Sequence, residues 1–174
     1  MKFTLDKSYE ILERTPTVLR TLLSGLSDEW IMSNEGPETF SPYDVIGHLI
    51  HGEKTDWRDR TIMILEHGTG KTFVPFDRFA QFEASKGKSL ATLLDDFEKL
   101  RADSLIWLRS LKLSEDDFDK KGNHPALGQV TLRQLLSTWV IHDLTHIAQI
   151  TRVMAKQYKS EIGSWIEYFR IMNF

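Results

Sequence analysis

Apolar residues recur at helical spacing along most of the 174-residue chain. Leucines at seven-residue intervals from Leu5 to Leu26 predict a first helix. We expect this helix to kink or restart at the Thr15–Pro16 pair, because an interior proline removes a helical hydrogen bond. Similar stripes predict long helices over 42–66, 89–111 and 131–157 and a shorter amphipathic helix over 160–172.

Polar connections that hold most of the glycines and prolines separate these helices, at 27–40, 67–88 and 112–130. No segment alternates convincingly between apolar and polar residues as a strand would, apart from a brief extended stretch at 128–132. Four long helices with such connections predict an all-α fold in one domain over residues 1–174. The expected architecture is a four-helix bundle with long crossover connections and a short additional C-terminal helix.

The aromatic residues are expected to serve mainly the packing of these elements. Trp107, Trp139 and Trp165 lie on apolar helix faces and are predicted to belong to the core. The phenylalanines between Phe73 and Phe82 are expected to pack the connection over the bundle or to cap a substrate pocket. Trp57 is a candidate for the lining of a cavity.

The charge balance gives no basis for nucleic-acid binding, which relies on clustered lysine and arginine. The chain has 22 basic and 25 acidic residues and a net charge of -3. Its apolar runs are far shorter than the roughly 20 residues that span a bilayer. The N-terminal segment also lacks the apolar core of a signal peptide. We therefore expect a cytoplasmic protein with no nucleic-acid or membrane partner.

The sequence contains no cysteine. Disulfides, cysteine-ligated metals and a protein thiol nucleophile are therefore excluded. Metal or nucleophile chemistry must use the six histidines, the carboxylates or the hydroxyl groups.

Two of these histidines, His142 and His146, lie four residues apart in the last long predicted helix. This spacing places both on one helix face, together with the apolar residues Trp139 and Val153. Two imidazoles in this arrangement can direct ring nitrogens at one cation. The alternative is a pair of core histidines that hydrogen-bond to threonine, glutamine or backbone groups.

An open catalytic metal site needs a third protein ligand. His48 shares an apolar stripe with neighbouring aliphatic residues and precedes Gly52 by one turn, so the pattern favours it as an inward-pointing group. His51 lies toward a more polar side, and His67 and His124 fall in connections, where a solvated histidine is the usual interpretation. Carboxylates remain further candidates.

Four segments carry a more specific signal, in this order: TPTVLRTLLSGLSDEW (15–30), SPYDVIGHLIHGE (41–53), VPFDRF (74–79) and HPALGQVTLRQLLSTWVIHDLTHIAQI (124–150). Together they resemble the DinB/YfiT-like family over nearly the whole chain. The resemblance implies a four-helix bundle in which three histidines hold a divalent metal in an open site. Carried onto this sequence, the implied ligands are His48, His142 and His146. The roles of His51, Glu53 and Asp143 stay unassigned, with Asp143 expected to be exposed or to support a ligand.

The same resemblance implies a metal-dependent enzyme that acts on a small molecule. Related proteins include transferases and isomerases that use a low-molecular-weight thiol, and others described as metal-dependent hydrolases. Imidazole ligands do not distinguish Zn, Ni and Fe. Because the chain has no cysteine, a transferred or catalytic thiol must come from a small-molecule cofactor.

Two non-catalytic alternatives remain from the sequence. One is a metal-binding protein whose coordination sphere is closed by Glu53 or His51. The other is a stress-related interaction protein that forms a homodimer through its amphipathic faces, with the histidines hydrogen-bonded internally.

Overall fold

Eight helices make up most of residues 1–173, the part of the chain that the computed structural model describes. In chain order they are α1 (Leu5–Leu12), α2 (Thr15–Leu23), α3 (Asp28–Met32), α4 (Pro42–Thr55), α5 (Trp57–His67), α6 (Gln81–Ser85), α7 (Leu90–Ser110) and α8 (Leu132–Lys156). The pairs α1–α2 and α4–α5 form two long units of a bundle, and α7 and α8 form the other two. Within residues 1–173, no helix combines the length and apolar character that a membrane crossing requires.

The three longest helices begin where the sequence supplies an N-cap. At the start of α4, the Ser41 side chain accepts from the Asp44 amide, and the Asp44 carboxylate accepts from the Ser41 amide. Thr131 and Gln134 form the same reciprocal pair at the start of α8. Ser89 caps α7. These contacts satisfy amide groups that the first helical turn leaves without partners, and they fix the starting points of the helices that carry the site.

Both helical units in the first half of the chain are broken. The break between α1 and α2 lies beside Pro16, as the sequence predicts. The predicted continuous helix over 42–66 is wrong at one point, because Asp56 has φ -120 and ψ -70 and separates α4 from α5. At this bend Asp56 pairs with Arg60, and the Trp57 indole packs so closely on Gly52 that a Cβ there would lie 3.3 Å from Nε1.

The connection before α8 contains an antiparallel hairpin, of which the sequence predicted only the brief extended stretch at 128–132. Strand β1 (Lys121–His124) pairs with β2 (Gly128–Thr131), in a register that runs from Lys121–Thr131 to His124–Gly128. A Cβ at Gly122 would lie 2.7 Å from the Ile64 side chain and 2.8 Å from the Phe73 ring. Glycine therefore lets the hairpin contact α5 closely and form one wall beside the bundle.

Two apolar clusters fill the bundle, one toward each end. A layer of buried polar residues lies between the two clusters. The first cluster includes Leu12, Trp57, Leu105, Leu108 and Trp139. The second includes Leu19, Leu49, Leu93, Phe97 and Ile150. Between them lie the buried charged residues Glu53, Arg101 and Asp143. Burying ionic groups at the centre of a bundle costs free energy unless they are paired with one another. This layer therefore shows where along the bundle axis the polar residues of the interior are concentrated.

The predicted short C-terminal helix over 160–172 is present, but it is divided in two and is not α-helical. The chain forms two short 3₁₀ segments there, Gly163–Tyr168 and Arg170–Asn173. Trp165, predicted to be a core residue, is 67% exposed, whereas Trp139 is fully buried as predicted. Trp107 is partly buried against the first apolar cluster. The apolar residues at 160–172 therefore recur at helical spacing in the sequence, but they do not pack as one face of a regular amphipathic helix.

Candidate metal centre

The long units α4 and α8 bring three histidines together. His48 lies on α4, and His142 and His146 lie one turn apart on α8. The Nε2 atom of His142 is 3.1 Å from Nε2 of His48 and 3.1 Å from Nε2 of His146. One ligand nitrogen from each ring lies within 4.8 Å of the others. The ring nitrogens of the three residues that the family resemblance implies as ligands therefore lie close together.

The spacing of the three nitrogens fits a common cation. At a metal–nitrogen distance of about 2.0–2.1 Å, neighbouring ligands lie about 3.3 Å apart in a tetrahedral site and about 2.9 Å apart in an octahedral one. The two distances of 3.1 Å in this structure fall between these values. These two distances are compatible with a shared ion, and the ligand atoms of His48 and His146 lie within 4.8 Å of each other.

Hydrogen bonding alone does not account for this arrangement. The Nδ1 atom of His146 lies 2.8 Å from Oε1 of Gln149, so Nδ1 carries the proton and Nε2 presents its lone pair. Each Nε2 has one in-plane position, for a proton or for a lone pair. A single proton on His142 Nε2 cannot make a full hydrogen bond to both neighbours, whereas a cation between the rings would accept all three lone pairs.

The rings are held in their neutral form by their surroundings. Burial, with the neighbouring His146, His51 and Arg78 charges, lowers the pKa of His48 to about 3. Burial and the neighbouring His146, His48 and Arg101 charges lower the pKa of His142 to about 2. Burial also lowers the pKa of His146, against the opposing effect of Gln149. At neutral pH all three lone pairs are therefore free for a Lewis acid.

Aromatic side chains enclose the rings. The ring centroid of His48 lies 5.4 Å from that of Phe76 and 5.7 Å from that of Phe40. Trp57 meets the His142 ring edge-on at 5.1 Å. Phe76 lies in the connection after α5, and both Phe76 and Trp57 contact histidines of the cluster. This agrees with the expectations that the connection caps a pocket and that Trp57 lines a cavity.

A first opening, the apolar cavity, reaches His48 and His142 from the side of the hairpin. Its volume is about 340 Å³, and its apolar walls are Trp57, Phe73, Phe76, Leu127, Val130 and Leu135. The pair Asp56 and Arg60 also lines it, together with His124. Burial raises the pKa of Asp56 to about 6, although Arg60 lowers it. The apolar cavity therefore combines a hydrophobic wall with a few polar groups, the usual lining of a small-molecule site.

A second opening, the charged cavity, reaches His48 and His146. Its volume is about 380 Å³, and its lining includes Glu35, Glu38, Phe40, Arg78, Gln149 and Arg152. Because His48 lines both cavities, the three rings stand where the two openings meet. Two different molecules, or two ends of one molecule, can reach the cluster through separate openings.

The other candidate ligands of the sequence analysis lie outside the cluster. Neither His51 nor Glu53 belongs to the group of converging ligand atoms. His51 packs its ring on Phe76 at 4.9 Å, and His67 lies beside Lys71. His124 lines the apolar cavity, where its Nδ1 accepts from backbone amides of the hairpin turn.

The carboxylates near the site are occupied by a buried arginine. Arg101 donates from Nε to Glu53 Oε1 at 2.9 Å and from its terminal nitrogens to both Asp143 oxygens. Trp139 also donates to Glu53, at 3.2 Å. Asp143 is fully buried, so its expected exposure is wrong: the side chain turns into the bundle because Arg101 supplies its counter-charge.

Sequence reasoning missed Arg101 and Arg78, and it considered glutamine only as a hydrogen-bond partner of core histidines, which is the contact that Gln149 makes with His146. Arg101 stands four residues from both Phe97 and Leu105 on α7, so a charge in the middle of an apolar stripe was the available signal. Gln149 follows His146 by one turn, which is the spacing of a helical side-chain contact. Arg78 lies in an irregular connection, where no periodic pattern could have placed it.

Fold and cluster together define a helical-bundle protein with three convergent histidines between two cavities. Residues 11–150 match the family model of the DinB superfamily. This match spans more than half of the chain, and the protein belongs to the DinB superfamily. The family prediction made from the four sequence segments is thereby confirmed.

The bundle is similar to a solved structure. YfiT from Bacillus subtilis, described as a probable metal-dependent hydrolase with an unusual four-helix bundle topology, matches with a TM-score of 0.74 and 22% sequence identity. The alignment covers 88% of this chain and 87% of YfiT. This similarity confirms the four-helix-bundle fold. Among curated proteins, a sequence search finds no significant match.

Proposed function

We propose that this protein holds one divalent metal ion through the Nε2 atoms of His48, His142 and His146 and uses it in an enzymatic reaction on small molecules. The observation that carries the proposal is the convergence of three neutral imidazoles, in which Nε2 of His142 lies 3.1 Å from Nε2 of both His48 and His146. A catalytic site typically has three protein ligands and leaves coordination positions for solvent or substrate.

A divalent ion held by neutral imidazoles keeps its full charge and supplies Lewis-acid activation of water or of a thiol. Zn, Ni and Fe all accept imidazole ligands, so the metal is proposed only as divalent. The protein itself contributes by orienting the ligating rings and by shielding them from water. Gln149 fixes the His146 ring through Nδ1, and Trp57 and Phe76 limit the access of water to the rings.

The reaction that we favour is transfer of a low-molecular-weight thiol to an electrophile. Its support is the presence of two cavities of similar volume, both lined by His48, which give two reactants separate access to the same cluster. The apolar cavity suits a hydrophobic electrophile, and the sulfur must be supplied by the cofactor because the chain has no cysteine. Holding both reactants at one point is itself a large part of such catalysis.

Metal-dependent hydrolysis is the second candidate. Its support is the similarity to YfiT, which is described as a probable metal-dependent hydrolase. Here a substrate would occupy the apolar cavity, with solvent reaching the rings through the charged cavity.

Metal binding is tested with protein that carries no polyhistidine tag. Elemental analysis after dialysis against zinc should give about one ion per chain, and His142→Ala should lose it. His51→Ala is the matched control, because His51 lies on α4 near the cluster but outside the ligand group. Stoichiometric zinc in the His142→Ala protein would overturn the ligand assignment.

The reaction class is tested on the metal-loaded protein with a panel of small thiols and electrophiles, beside ester and amide substrates without thiol. We expect turnover that requires a thiol. Turnover of an ester or amide in the absence of thiol supports hydrolysis instead. A metal-loaded protein inactive in both assays supports the non-catalytic alternative.

A further inference from the structure

One of the arginines that line the charged cavity, Arg78, is exposed to solvent and has no carboxylate partner among residues 1–173. Arg78 lines this cavity together with the rings of His48 and His146. Within residues 1–173, no carboxylate lies within ion-pair distance of its guanidinium. A guanidinium is always charged at physiological pH and seeks an oxyanion partner.

Aromatic rings hold this guanidinium in place. Its central carbon lies 5.7 Å from the ring centroid of Phe40 and 5.0 Å from that of Phe79. Phe40 itself contacts the His48 ring. Stacking uses the flat face of a guanidinium and leaves its in-plane N–H groups available for a bidentate contact with a carboxylate.

The second arginine of the charged cavity, Arg152, is paired with a carboxylate of the protein. Arg152 donates to both oxygens of Glu35, at 2.9 and 3.1 Å from Nε, and Lys156 also contacts this carboxylate, at 2.6 Å. The Glu35 carboxylate is thus shared by two cations. The structure therefore offers two arginines beside the rings, of which one is structural and the other is available to a ligand.

We propose that Arg78 binds the carboxylate of a small-molecule reactant and so directs its reactive group toward the histidine cluster. This inference rests on the proposed function for the identity of the reacting centre, but the carboxylate subsite itself depends only on Arg78 and the charged cavity. It assigns the two openings different roles: the charged cavity selects an anionic reactant, and the apolar cavity accepts its hydrophobic partner.

The subsite is tested by a ligand-observed NMR titration with succinate, using its neutral diamide, succinamide, as a size-matched control. We expect succinate to bind the unaltered protein and succinamide to bind much more weakly. Arg78→Gln should weaken succinate binding about tenfold to a hundredfold, since a hydrogen-bonded pair with a charged group is lost. Arg78→Lys should retain part of the binding, as a charge without the fork geometry.

Arg58→Gln is the matched control variant. Arg58 also stacks on an aromatic ring, that of Trp107 at 4.9 Å, but it does not line the charged cavity. Succinate binding should be unchanged in this variant. Equal succinate affinity of the unaltered and Arg78→Gln proteins, or equal losses in Arg58→Gln and Arg78→Gln, would overturn the subsite. So would equal binding of succinate and succinamide, or no saturable succinate binding to the unaltered protein.

Each titration is run on zinc-loaded and on metal-free protein, with zinc content measured in parallel. Arg78→Gln should take up the same amount of zinc as the unaltered protein, because Arg78 is not a ligand. Failure of every variant to take up zinc would count against the proposed function, while the succinate comparison in metal-free protein would still decide the subsite. Loss of zinc from Arg78→Gln alone would show that Arg78 serves the cluster and not a reactant.

Discussion

Three imidazoles at the meeting point of two cavities behave differently from histidines on a surface. An isolated imidazole with a pKa near 6.5 is partly protonated under mildly acidic conditions and must lose its proton before it binds a metal. Burial lowers the pKa of all three rings, that of His48 to about 3 and that of His142 to about 2, so protons compete less with an ion here than at exposed histidines. The three rings therefore already favour the neutral form that binds a cation.

This preparation predicts a weak pH dependence of metal affinity. Between about pH 7.5 and about pH 5.5 the zinc affinity should fall by no more than about tenfold, because His48 and His142 stay neutral throughout this window and burial also lowers the pKa of the third ring, His146. Three ordinary imidazoles would lose about a thousandfold over the same range. Competition with a chelator, corrected for the chelator's own protonation, measures the effect. A steep loss of affinity below about pH 6.5 would show that the rings titrate normally.

A neighbouring amide sets the orientation of one ring. Removing the hydrogen bond to His146 with Gln149→Leu should weaken zinc affinity about tenfold to a hundredfold, since partners of ligating histidines fix ring orientation and basicity. Gln157→Leu is the control on the same helix, because Gln157 bonds to the backbone of Val153. Equal zinc affinities of the two variants would remove Gln149 from the site.

At the level of single residues, the sequence could identify His48, His142 and His146 because helical periodicity relates their positions to the apolar core. Arg78 was beyond reach for a physical reason. It lies in a connection whose path depends on contacts between Phe40, Phe79 and the rest of the bundle, and such contacts leave no periodic trace in sequence.

At the level of elements, the polar layer ties the helices together beside the site. Arg101 of α7 donates to Glu53 of α4, to Asp143 of α8 and to the backbone carbonyl of Leu12 at the end of α1. One buried side chain thus joins all four long units of the bundle. Asp143 immediately follows His142, so the same contact constrains the backbone that carries two of the three rings.

Loss of this arginine should be strongly destabilising. Arg101→Met leaves two buried carboxylates without their counter-charge and should lower the free energy of unfolding by about 3–5 kcal/mol. Urea unfolding at neutral pH measures the change. Arg20→Met is the comparison, because Arg20 pairs with Asp95 and Glu98 on the surface and should lose no more than about 1 kcal/mol. Similar losses in the two variants would refute the central role of Arg101.

The sequence predicted the elements unevenly, for identifiable reasons. Long helices with caps, such as α7 and α8, follow from periodicity and from Ser89 and Thr131. The bend at Asp56 was missed because no glycine or proline marks it, and it depends on packing of Trp57 against Gly52. The hairpin was missed because its two strands are four residues each and are stabilised by contacts with α5.

At the scale of the whole molecule, the bundle presents one histidine cluster to two chemically different cavities. One is walled by aromatic and aliphatic groups and the other by charges, and both are of a size suited to small molecules. The family and the four-helix-bundle fold are confirmed, whereas the ligand set and the reaction are proposals. The homodimer and the cytoplasmic location remain predictions from sequence.

The central claim is that His48, His142 and His146 form an open site for one divalent ion. Anomalous diffraction at the zinc edge, from crystals of untagged protein grown with zinc, tests it most directly. We predict one strong peak about 2.1 Å from each of the three Nε2 atoms, with at least one coordination position taken by solvent. The absence of a peak between these rings, or a coordination sphere closed by His51 or Glu53, would contradict the account.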